Sequence, residues 1–132
     1  KQTKMLKKNY EFKQVLTKGK YVGGQYLKAF IKKNNKEINY LGLAISTKVG
    51  KANERNRIKR LLRENYKNFE SEIQKGNSIV FLIKKEVNAE EIDFKKIKKE
   101  RTLRFSLFII NDAYKSSMTN RFLLQGHVHQ SL

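Results

Sequence analysis

Apolar positions along this 132-residue chain follow two rhythms, one of strands and one of helices. Residues 26–32 alternate cleanly, with Leu27, Ala29 and Ile31 pointing one way and Tyr26, Lys28, Phe30 and Lys32 the other. Residues 40–46 alternate again, placing Leu41, Leu43 and Ile45 on one face and the small Gly42 and Ala44 on the other. A third strand is predicted over residues 78–85, centred on Val80-Phe81-Leu82. Between the second and third strands the period lengthens. At about 100° per residue, Ile58, Leu61, Leu62, Tyr66, Phe69 and Ile73 fall on one stripe. That predicts an amphipathic helix capped by Asn53, running to about Lys75 and stopped by Gly76-Asn77.

Two shorter helices complete the pattern. Asn9 is placed to cap the first, which carries Phe12, Val15 and Leu16 on one side and stops at Gly19. Asn88 with Glu91 three residues later marks the start of the last, from about Ala89 past Ile97. The predicted fold is therefore α+β in the order helix, strands, helix, strand, helix, with a small mixed sheet backed by helices. Residues 1–100 are read as one domain, and residues 101–132 as a helix end and an extension of uncertain form. Apolar residues 103–110 and the weakly periodic stretch from Asn111 to the end belong to that extension.

Charge turns the long helix into a candidate site. Residues 48–67 hold eight Lys or Arg against two Glu. Asn56, Arg57, Lys59, Arg60, Arg63 and Lys67 lie on the side away from the apolar stripe, and Lys48 and Lys51 approach from the turn around Gly50. Arg55 projects toward the stripe side of the first turn, where it can reach around the helix end. An ordinary solvated face is the alternative, but Lys59 and Arg63 have no carboxylate three or four residues away. An external anion is the simpler compensation. A net charge of +18 over the whole chain points to the same kind of partner, a polyanion.

The strand face carrying Tyr26, Lys28, Phe30 and Lys32 interleaves rings with ammonium groups. Such a face can stack bases and neutralise phosphates. Alternation alone equally allows helices to cover it and make Phe30 ordinary core.

Other chemistries find little support. The chain has no Cys, so disulfides and thiolate zinc sites are excluded and a reducing, cytoplasmic setting is expected. The apolar run at residues 79–83 is far too short to span a bilayer, no signal-peptide pattern opens the chain, and no membrane partner is expected. A two-metal nuclease needs converging carboxylates. The one acidic cluster, Glu90-Glu91-Ile92-Asp93, sits at a predicted helix start, where capping and the helix dipole explain it. His127 and His129 are read as tail residues rather than metal ligands.

Arg55-Asn56-Arg57, then Lys59-Arg60 and Arg63, preceded by residues 46–52, resemble the signature of the bacterial ribonuclease P protein subunit. The resemblance extends back through Leu6-Lys7-Lys8-Asn9 and Glu11-Phe12, and forward through the third strand, covering about residues 4–100. It implies a ribosomal protein S5 domain 2-like fold with an unusual left-handed crossover through the basic helix, against the general rule. It also implies a role in removing the 5′ leader of precursor tRNA. The catalytic Mg²⁺ would be held by the RNA subunit and substrate, with no metal in the protein and no protein catalytic residue. The basic helix would dock on ribonuclease P RNA. By the same resemblance Phe12 and Phe30 match aromatics that line a cleft for the leader, while Leu16 stands where some members carry another aromatic. The expected partners are ribonuclease P RNA and precursor tRNA, with no obligate protein partner. Two other readings stay open: a basic ribosomal or RNA-assembly protein without leader discrimination, and a DNA-compacting or membrane-surface protein.

Overall fold

The computed structural model describes residues 3–68 and 70–99. Five strands, β1 (Thr3–Met5), β2 (Lys20–Gly23), β3 (Leu27–Lys33), β4 (Asn39–Ala44) and β5 (Asn77–Ile83), form one sheet in the order β1-β4-β5-β3-β2. β1 and β5 run parallel to β4, whereas β3 is antiparallel to both β5 and β2. Among the described residues three helices accompany the sheet: α1 (Asn9–Lys18), α2 (Ala52–Lys67) and α3 (Phe94–Lys99). The chain passes from β4 through α2 into the adjacent parallel β5.

The period-two pattern sorts the sheet into two faces. Leu27, Ala29, Ile31, Leu41, Leu43, Ile79, Phe81 and Ile83 share one large buried cluster with Ile58, Leu62 and Tyr66 of α2 and Ile97 of α3. On the other face Val80 packs with Leu6 and Val15 of the α1 segment, flanked by half-buried Phe12, Leu16, Phe30, Tyr40 and Leu82. Gly42 belongs to this second face: a Cβ there would approach Leu6 Cδ1 at 3.0 Å and run into the Phe12 ring. Its missing side chain lets α1 settle on the sheet.

Several boundaries differ from the sequence reading, each for a local reason. Lys8 and Lys51, not Asn9 and Asn53, are the N-caps, because Glu11 and Glu54 reach back to accept the Lys8 and Lys51 amides at 3.0 and 2.8 Å. α2 ends at Lys67, well short of Lys75. A 3-10 turn at Glu70–Glu72 follows, and Ile73 joins the large cluster from beyond the helix. Gly76, at φ +93°, then makes the left-handed turn into β5. The last helix is interrupted in the same way. Asn88 caps only a 3-10 turn at Ala89–Glu91, and α3 starts at Phe94, where Asp93 accepts the Lys96 amide at 2.8 Å. β1 and β2 escaped the pattern reading altogether, since each is short and only Val22 among their residues is buried. Phe69, residues 101–132 and the two histidines lie outside the described residues.

Candidate RNA interface

The polar side of α2 divides into charges used by the fold and charges left at the surface. Arg57 is of the first kind. Its guanidinium donates to the carbonyl oxygens of Ile92 (2.9 Å) and Ala89 (2.8 Å), tying α2 to the turn before α3. Glu54, three residues before it, spends its carboxylate on the Lys51 amide. Arg55 likewise folds back, donating to the Gly50 carbonyl at 2.8 Å, so it does reach around the helix end. Asn56, Arg60, Arg63 and Lys67 are exposed and Lys59 is half-buried. These five thus remain on the surface side of the helix, while Arg57 acts as a clamp between elements. Lys48 and Lys51 are exposed beside an open groove at the start of α2, shared with Arg55, Asn53 and Asn88. Ser46 keeps its hydroxyl for the local turn, accepting the Lys48 amide at 3.1 Å.

The second candidate surface lies across the sheet, beside α1. Lys28, Phe30 and Lys32 of β3 face it and are all half-buried. Phe12 and Leu16 approach from α1 and pack on the same small cluster as Phe30. Tyr26 does not belong here. β3 begins at Leu27, and Tyr26 sits in the preceding bend with its side chain against the large cluster on the opposite face. Its carbonyl accepts the Lys84 amide at 2.9 Å, which fixes the bend. Alternation extended one residue too far reversed its side.

Aromatic rings missed by the sequence reading flank Phe30 and α1. Tyr21 of β2 lies against Phe30, with ring centroids 5.2 Å apart and planes at 50°. Tyr40 of β4 is half-buried, with the Lys36 ammonium 5.2 Å from its ring centroid, and it lines a groove with Tyr10, Gln14, Lys32 and Asn34. The only sequence signal for Tyr21 is the short run Lys20-Tyr21-Val22 between two glycines, too short to show a period.

Glu91 and Asp93 behave as caps. Glu91 accepts the Asn88 amide at 3.1 Å and Asp93 the Lys96 amide, and among the described residues no three His, Asp or Glu gather as a metal site. Among the described residues no helix is long and apolar enough to cross a membrane.

A strongly cationic α+β domain with an exposed basic helix side and a half-open face of rings and lysines defines a nucleic-acid-binding protein. Comparison with known proteins narrows the class. The Ribonuclease P family model matches residues 1–106. The ribonuclease P protein component of Clostridioides difficile (strain 630) is 40% identical over 98 residues, covering 74% of this chain and 84% of that protein. The chain also resembles the solved ribonuclease P protein of Staphylococcus aureus, with 33% identity, TM-score 0.65, and 80% of this chain and 93% of that one covered. The Thermotoga maritima protein gives 29% identity and TM-score 0.66, over 79% of this chain and 94% of that one. The chain belongs to the ribonuclease P protein family, whose members are subunits of an RNA-based endonuclease of tRNA processing.

Proposed function

We propose that the exposed side of α2 docks on the catalytic RNA while the α1 face of the sheet holds the single-stranded 5′ leader of precursor tRNA. The half-buried Phe30, set between Lys28 and Lys32 and next to an exposed ring, carries the second half of this reading. A ring in that position can stack a base while the ammonium groups offset its flanking phosphates. For the first half, Lys59, Arg60, Arg63 and Lys67, with Asn56 among them, gather cationic charge along one helix side with few acids to answer it. Each phosphate neutralised there releases counterions, which supplies affinity and lowers the repulsion between two RNAs brought together. In this reading Mg²⁺ belongs to the RNA subunit and substrate, and the protein contributes binding and charge rather than a reacting group. The cytoplasm is the proposed site of action, and no obligate protein partner enters the scheme. The test is to add the protein to a bacterial ribonuclease P RNA at a Mg²⁺ concentration where that RNA alone cleaves precursor tRNA poorly. Cleavage is expected to rise, and an unchanged rate would contradict the proposal.

A further inference from the structure

Tyr21 stands directly opposite Phe30 in the antiparallel ladder between β2 and β3, on the last strand of the sheet. The residue is 54% exposed, an unusual position for so large a side chain on a short edge strand. Two contacts hold it. One is the Phe30 ring, with centroids 5.2 Å apart. The other is Gly23, where a Cβ would come within 2.9 Å of Tyr21 Cζ and 3.2 Å of Cε2. The ring therefore lies back along β2 over bare glycine backbone. Gly23 is not in the left-handed region, so its missing side chain supplies space and not a turn. In register, Gly23 faces Lys28, which places an ammonium stem beside the hydroxyl end of the ring.

We infer that Tyr21 is a second base-stacking platform, held in place by Gly23, which adds one nucleotide of single-stranded leader to the site. This rests on the reading that the α1 face holds the leader. Rings 5.2 Å apart and tilted by 50° leave no room for a base between them, so each ring takes its own base. A π-face accepts any base, and Lys28 lies close enough to offset the phosphate that joins the two nucleotides. A ring already held by Phe30 and Gly23 loses little freedom when a base stacks on it.

The experiment uses the protein reconstituted with a bacterial ribonuclease P RNA, and binding of mature tRNA and of precursors with a graded series of leader lengths. Tyr21→Ala is expected to weaken binding of long-leader precursor by roughly 5- to 100-fold, with mature tRNA unaffected. Tyr21→Phe keeps the platform and should bind close to the original protein. Gly23→Ala retains the ring but displaces it, and should shift precursor binding in the same direction as Tyr21→Ala. The Tyr21→Ala and Phe30→Ala penalties should set in at leader lengths about one nucleotide apart. Thermal unfolding of Tyr21→Ala should stay near that of the original protein, because the ring is exposed. A Tyr21→Ala variant that discriminates normally while Phe30→Ala does not would overturn this inference and leave the leader face intact. Onset of both penalties at one length would also overturn it, by placing both rings on a single base. Normal discrimination in both variants would remove the leader face as well.

Discussion

On the face of the sheet covered by α2 and α3, Leu27, Ala29 and Ile31 of β3 are 0%, 0% and 6% exposed, while the alternating Lys28, Phe30 and Lys32 stay only partly buried beside α1. The same strand thus supplies one surface for the core and one for the solvent side. The difference lies in what covers each. α2 brings Ile58, Leu62 and Tyr66 across the first face, and Ile73, Val87, Ile92 and Ile97 seal its margins. α1 brings only Val15 to full burial, with Phe12 and Leu16 half in contact. A sealed face contributes stability, whereas a half-covered face with rings and lysines retains unsatisfied surface that a ligand can use.

The contrast can be broken from the sealed side first. Leu62→Ala removes a fully buried side chain between α2 and the sheet, and should cost about 2–5 kcal/mol in urea unfolding. A loss much below that would mean the α2 face is less tightly packed than its burial indicates. Next comes Arg57→Ala, which takes both guanidinium donors from the turn, leaving Ala89 only the Ile92 amide, and should cost about 1–3 kcal/mol in the same measurement. Arg60→Ala and Arg63→Ala should each leave stability within about 0.5 kcal/mol, since both side chains are exposed. Each should instead flatten the salt dependence of RNA-subunit affinity by about one unit of slope. If Arg57→Ala behaved like these two, the division between clamp and contact residues would fail.

The smallest expected effect concerns Tyr66. Burial pushes its phenol above the ordinary value of 10.0, partly opposed by the hydrogen bond with the Thr3 hydroxyl and reinforced by Glu70. The folded state then holds the proton more tightly than the unfolded chain. Stability from this source is intact below pH 10 and falls as the pH rises beyond it, through the raised folded value. Tyr66→Phe should lose stability less steeply above pH 10, which unfolding measured at several alkaline pH values would show.

Long periodic elements were legible in the sequence, and short or interrupted ones were not. The alternation of Leu27 to Lys32 and the stripe of Ile58, Leu62 and Tyr66 each recur often enough to set a period, and both faces came out as read. The stripe also ran on through Ile73, which is buried, but from a separate segment after a 3-10 turn. Period does not register such a break, because a residue can return to the same core from a non-helical chain. Tyr26 shows the converse error at a strand end, where one residue outside the ladder changes face. Charge patterning located the basic side of α2 but could not separate Arg57 from Arg60, since the partners of Arg57 are carbonyls 32 and 35 residues away. Tyr21 became visible only through the pairing of β2 with β3.

The open face is the central claim, and Phe30→Ala addresses it most directly. Affinities for tRNA with and without a leader, measured on the reconstituted ribonucleoprotein, are paired with thermal unfolding of the free variant. The expected result is a loss of about 1–3 kcal/mol confined to precursor tRNA, with a stability loss smaller than that of a core Phe because Phe30 is only partly buried. Equal losses for both tRNAs, together with the roughly 3–5 kcal/mol destabilisation typical of a truncated core Phe, would contradict it and assign Phe30 to the core.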